Sequence, residues 1–190
     1  QIKYEIILAE DGSTDNTKNI LNDLLIYNGD LFVSNIEDKK RGYANAIRSS
    51  VKIAKGKYIL NVDSDGQCDP KDFINFWEKR DLLENGIIIG HRFNRKDSLQ
   101  RLFMSRFFLI LHRILFFSKV MDPSCPCVLS KNEFFVTINS YLKFMVEGFW
   151  WGFKAICLKK NIQIHQVKIN HRLRLSGKTN VFHLNKIPSI

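Results

Sequence analysis

The sequence predicts an α/β fold, a mostly parallel sheet flanked by helices, with all 190 residues in one domain. Three observations carry this. Short apolar runs alternate with segments of helical period. Acidic, glycine-containing turns close two of those runs. Hydrophobic residues at 45% and charged residues at 25% are globular proportions, in a chain long enough to bury a core.

Tyr4 to Ala9 reads as a strand that stops at Glu10-Asp11-Gly12-Ser13, with a helix from Asn16 to Tyr27. Leu31 to Ser34 is a second strand, Gly42 to Ala54 a helix, and Lys57 to Val62 a third strand. Next come Asp63-Ser64-Asp65-Gly66-Gln67-Cys68-Asp69-Pro70, where Asp69 is placed as an N-cap and Pro70 at the first helical position. A helix to about Glu84 and a strand at Ile87 to Gly90 should follow. The last third reads as a strand near Cys125 to Leu129, a helix from Val146 to Lys159, a strand from Ile162 to Ile169 and a basic tail. Because the chain opens at Gln1 and enters a strand almost at once, a fragment is expected, with flanking segments missing at both ends.

Between these lies a helical pattern from Ser98 to Ser118. At about 100° per residue, Leu99, Phe103, Phe107, Ile110, Ile114 and Phe117 share one side, and Arg101, Ser105, Arg106, His112, Arg113 and Lys119 the other. The segment is amphipathic with a basic face, suited to a membrane interface. The competing expectation is that the same apolar side packs against the sheet.

The net charge of +10 points to an anionic partner such as phosphate, nucleic acid or anionic lipid. From His91 to Lys119 there are seven Lys or Arg and the single acid Asp97, so much of the excess is concentrated there. No nucleic-acid-binding motif appears and the aromatics do not interleave with the charges, so no nucleic-acid partner is expected. Four cysteines form no regular framework, which suggests a reducing compartment. The longest apolar runs, such as Phe107 to Leu111, are far short of a spanning helix, so any membrane role is expected to be peripheral.

Two carboxylates one residue apart, Asp63 and Asp65, end an apolar strand, and a turn beginning at Ser64 lets both converge on a hard cation. Gln67 adds a neutral oxygen. The plainer reading is an acidic turn that only caps the next helix. In Glu10-Asp11-Gly12-Ser13-Thr14-Asp15, Gly12 permits a tight turn, and an acid there can accept hydrogen bonds from a nucleobase or ribose. Functional residues of open α/β sheets gather at the carboxyl ends of strands, where both clusters sit.

These runs, with Arg41-Gly42-Tyr43-Ala44-Asn45-Ala46 between them, strongly resemble glycosyltransferase family 2, nearest to dolichyl-phosphate mannosyltransferases and bacterial polyprenyl-phosphate glycosyltransferases. The resemblance implies a Rossmann-like GT-A fold, a nucleotide-sugar donor, Mg2+ or Mn2+, inversion at the anomeric carbon, and a lipid-phosphate acceptor at the cytoplasmic face of a membrane. By position it assigns Glu10, Asp11, Asp63 and Asp65 to the nucleotide-sugar, and Asp63, Asp65 and Gln67 to the metal. Arg92, Arg101 and Ser105 match acceptor-phosphate contacts. Arg172, Arg174, Gly177, Lys178 and Thr179 match a motif that closes over phosphates. Asp122, in Asp122-Pro123-Ser124-Cys125-Pro126, matches an acidic acceptor-side motif, so Asp122, Arg101 and Arg174 are the expected catalytic residues. Two other functions stay open: transfer to a glycan hydroxyl, where Asp122 would act as base, and nucleotide-sugar binding without turnover.

Overall fold

The first apolar run forms β1 (Ile6–Glu10), paired in parallel with β2 (Phe32–Ile36) from Ile6 opposite Phe32 to Glu10 opposite Ile36. In this computed structural model, residues 2–93, 95 and 97–173 are described. The chain divides into two units: the chain up to Ile59 with Ser130–Ile156, and Leu60–Leu129 with the chain from Cys157 onward.

In the first unit, α1 (Thr17–Asn28) joins β1 to β2, and α2 (Tyr43–Ile53) follows β2. Ala44, Ile47 and Val51 of α2 are buried, at the spacing that puts one helical face inward. Later chain returns as α5 (Asn132–Tyr141) and the start of α6 (Phe149–Lys159). Phe135, Phe149, Trp150 and Phe153 pack there with ring centroids 4.8 to 6.1 Å apart, mostly tilted or edge-on. Beyond α5, the carbonyls of Leu142 and Met145 accept from Arg48 Nη1 at 3.1 and 2.8 Å, which satisfies groups a helix end leaves over.

The other sheet has the order β3-β5-β4-β6, with β3 (Tyr58–Asn61) and β5 (Val128–Lys131) running through the division of the chain. In the second unit β4 (Gly86–Phe93) is parallel to β6 (Gln163–Asn170) and antiparallel to β5. Ile87, Ile88 and Ile89 of β4 are wholly buried, as a strand covered on both faces requires. Gly90 continues this strand because a Cβ there would lie 2.7 Å from Ile169 Cδ1.

The observed sheets are smaller and more mixed than a single mostly parallel sheet. β5 starts at Val128, later than expected, because Asp122 to Cys125 form a turn closed by Cys125 N–H to Asp122 O and Pro126 has no N–H for a ladder. The helix expected from Pro70 to Glu84 is broken into a 3-10 turn at Pro70–Asp72, α3 (Phe73–Trp77) and a second 3-10 turn at Arg80–Glu84. Arg80 donates to Trp77 O at 3.0 Å and lies over its ring, tying off the end of α3. Asp69 is the N-cap, accepting from Lys71 N at 3.0 Å, with Pro70 next.

The long helix α4 (Leu99–Phe116) begins at Ser98, whose Oγ accepts from Arg101 N, and ends at Phe117 in a left-handed conformation, φ 46°. Its apolar side faces outward: Leu99, Phe103, Phe107, Ile110, Ile114 and Phe117 are all exposed. The side expected to be basic is split. Arg106, Arg113 and Lys119 are exposed, whereas Arg101 and Ser105 are half-buried and His112 is the helix's single buried residue. Polar contacts explain the split: His112 Nδ1 meets Ser118 Oγ at 3.1 Å and Arg101 pairs with Asp97 at 2.9 Å. Among the described residues no helix is long and apolar enough to cross a membrane.

Candidate functional site

In the first unit, the turn after β1 carries Glu10 and Asp11. Glu10 is buried; its Oε1 accepts from Ser13 N, and its Oε2 has no hydrogen-bond partner among the described residues. Burial alone would raise its pKa, but hydrogen bonds from Ser13 and Gly12 and the charge of Lys18 hold it below the usual carboxylate range. Asp11 Oδ1 accepts from Arg41 N at 2.8 Å and Gly42 N at 2.9 Å, at the start of α2. Gly12, at φ 66°, sits against the backbone of Lys39 and Lys40, where a Cβ would lie 2.3 Å from Lys40 N. Only glycine fits.

In the second unit, the loop after β3 carries Asp63, Asp65 and Gln67. Gly66 takes a positive φ of 74°, and Asp65 Oδ1 accepts from Gln67 N at 3.0 Å, closing a tight turn. The loop is fastened to the end of β6: Arg172 N donates to Gln67 O at 3.0 Å, Cys68 bridges His171, and Asp69 pairs with Arg172 Nη2 at 2.5 Å. A cavity of about 410 Å³ lies beside it, lined by Asp63, Cys68, Asp72, Phe73, Phe76 and Ile169 among others.

These donors suit a hard cation, since the loop offers carboxylate and amide oxygens. Among the described residues no three His, Cys, Asp or Glu gather as a complete metal site.

Further along the second unit, Arg92 and Asp122, assigned to different roles, form one ion pair. Arg92 Nε and Nη2 donate to the two Asp122 oxygens at 2.7 and 2.8 Å, and Nη2 also reaches Ser124 Oγ at 2.7 Å. Their side chains are 10% and 6% exposed, so the pair is held out of water. Burial would lower the Arg92 pKa, but the hydrogen bond and charge of Asp122 outweigh it and raise the value. Arg101 and Arg95 both pair with Asp97, at 2.9 and 2.8 Å. Burial works against ionising Asp97, yet the Arg95 hydrogen bond and the charges of Arg95, Arg101 and His171 hold its pKa below the usual range. His171, 7% exposed, has its pKa lowered by burial first, then by Arg92, Arg95 and Arg101 against the opposing Asp97.

The structure thus brings Asp63, Asp65 and Gln67 together with Arg172, pairs Arg92 with Asp122, and places Ser105 one turn after Arg101 on α4. Arg174, Lys178 and Thr179 lie outside the described residues. Sequence reading missed Asp97, Ser124 and His171. The four-residue spacing from Asp97 to Arg101 was a usable signal for the first; Ser124 stood in the motif around Asp122, and His171 gave none.

Residues 1–143 match the family described as Glycosyl transferase family 2. The chain is 28% identical over 185 residues to a dolichyl-phosphate beta-glucosyltransferase of Dictyostelium discoideum, covering 90% of this chain and 55% of that one. It is 31% identical over 99 residues to a dodecaprenyl-phosphate galacturonate synthase of Rhizobium johnstonii, covering 51% and 29%. It therefore spans about half, or less, of these relatives. Among solved structures, glucosyl-3-phosphoglycerate synthase from Mycobacterium tuberculosis with phosphoglyceric acid matches with a TM-score of 0.65 at 17% identity, over 92% of this chain and 62% of that one. The same enzyme with Mn2+, UDP and glucosyl-3-phosphoglycerate gives 0.56 at 16% identity, over 97% and 63%. At such identities these structures speak for a shared GT-A-like fold.

Proposed function

Because the chain belongs to glycosyl transferase family 2, we propose that it is an inverting hexosyltransferase moving sugar from a UDP-, GDP- or dTDP-sugar to a polyprenyl or dolichyl phosphate. The observation that carries this is the loop after β3, where Asp63, Asp65 and Gln67 stand in one turn fastened to Arg172. Glu10 and Asp11 serve the nucleoside, and the unpartnered Glu10 Oε2 is an acceptor for a nucleoside N–H or O–H. Asp63, Asp65 and Gln67 hold Mg2+ or Mn2+, which when bound neutralises the departing diphosphate. Arg172, with Arg174, Lys178 and Thr179, adds positive charge and donors to the phosphates.

The acceptor oxygen attacks the anomeric carbon in line with the leaving diphosphate, and nothing covalent forms on the protein. Arg101 and Ser105, on one side of α4, bind the acceptor phosphate, and Arg92 acts with them through its hold on Asp122. A phosphate acceptor is favoured over a glycan hydroxyl by the Arg92–Asp122 pair: both carboxylate oxygens already receive N–H donors, so Asp122 is engaged as an anchor. A phosphate with a second pKa of about 6 needs no strong base. The outward apolar side of α4 supports peripheral attachment to a membrane, which we place at the cytoplasmic face. The relatives named for dolichyl- and dodecaprenyl-phosphate products support the same acceptor class.

Thermal unfolding with a panel of UDP-, GDP- and dTDP-sugars, with and without Mn2+, tests the donor reading. One nucleotide class should raise Tm only with metal, and Asp65→Ala should abolish the shift. No shift with any donor, or a shift insensitive to both metal and substitution, overturns the proposal.

A further inference from the structure

Cysteines gather beside the acidic loop for which the glycosyl-transfer reading has no use. Cys68 follows Gln67 directly, and its Sγ lies 2.8 Å from Cys127 Sγ, with Cys125 two residues before Cys127. The two thiols are within hydrogen-bond distance of each other, either one able to donate. None of the four cysteines is in a disulfide. Cys68 is half-buried and lines the cavity together with Cys127, whereas Cys125, Cys127 and Cys157 are buried, so a small oxidant in the cavity meets Cys68 first. Both backbones are held in place: Cys68 bridges His171, and Cys127 O accepts from Gly90 N at 2.8 Å. The two sulfurs are therefore presented to each other by separately anchored segments.

We propose that Cys68 and Cys127 are a reversible dithiol–disulfide site, oxidised by a peroxide, that staples the acidic loop to the segment entering β5. In the first step Cys68 Sγ attacks one peroxide oxygen, the O–O bond breaks, and water leaves, giving a sulfenic acid on Cys68. Cys127 Sγ then attacks that sulfur; the S–S bond forms, the S–O bond breaks, and the hydroxyl departs as a second water with the Cys127 proton. Two thiols lose two electrons and one hydrogen peroxide gains them. Closure of the chain between residues 68 and 127 restricts the unfolded state, so the oxidised form is the more stable one.

The full chain is treated with hydrogen peroxide and followed by intact and peptide mass spectrometry, amide hydrogen exchange and thermal unfolding. We expect loss of two hydrogens, a peptide pair linking Cys68 to Cys127, slower exchange over residues 63–69, a Tm higher by roughly 5 °C, and reversal by dithiothreitol. Cys125→Ser keeps the link, and Cys68→Ser, a small change at a half-buried position, loses it. A sulfinic acid on Cys68 without cross-link, a link that uses Cys125, or a link that forms only in denaturant overturns the proposal. The wild-type result decides the matter even if a variant folds poorly.

Discussion

Arg92 and Asp122 lie thirty residues apart in sequence and meet through two charge-assisted hydrogen bonds. Taking away one partner leaves the other charged and buried, which in proteins costs about 3–5 kcal/mol. Asp122→Ala should therefore lower the unfolding free energy by that amount, and with it the guanidinium midpoint, and Asp122→Asn, which still accepts a hydrogen bond, by less. Guanidinium titration followed by circular dichroism measures it; an unchanged midpoint for Asp122→Ala would mean that the pair does not support the fold. Both residues were legible in the sequence as site candidates, but their pairing was not. Nothing local relates a residue on a strand to one in a turn so far along the chain, whereas Asp97 and Arg101, four apart, follow from helical spacing alone.

At the level of elements, periodicity says which residues of α4 share a side and is silent on where that side looks. The direction was decided by Asp97, which draws Arg101 in, and by Ser118, which meets the buried His112. Replacing Phe103, Phe107 and Ile110 together by Ser should weaken binding to anionic vesicles at least tenfold, since each inserted side chain contributes about 1.5 kcal/mol or more. Tm should stay within about 2 °C of the parent, because these side chains already face water. Vesicle co-sedimentation and calorimetry read the two effects; a large fall in Tm would show that the side is packed after all. The break after α3 escaped sequence reading for a related reason, because it depends on Arg80 capturing Trp77 O rather than on a proline or glycine.

For the whole molecule, each unit carries a carboxylate shielded from water whose pKa lies below the usual range, the buried Glu10 in the first and the half-buried Asp97 in the second. Such groups contribute stability in full above the unfolded carboxyl pKa of about 4, and lose it as pH falls through the lower folded value. Tm should hold down to about pH 5 and drop below pH 4, and Glu10→Gln and Asp97→Asn should each flatten the acid limb. If neither variant alters that limb, other groups govern acid unfolding. Fold class and motif order were readable from the whole sequence because alternating periods and acidic strand ends survive without knowledge of tertiary packing. The antiparallel course of β5 was not, since it turns on a hydrogen-bonded bend before the strand. A last consequence follows from Asp11 receiving two amide hydrogens at the threshold of α2. Segments some thirty residues apart share one anchor, so a change at position 11 removes the acceptor that two amides hold in common. The carboxylate at position 11 and the Arg41–Gly42 bend therefore behave as one joint, so that loosening either end frees both loops.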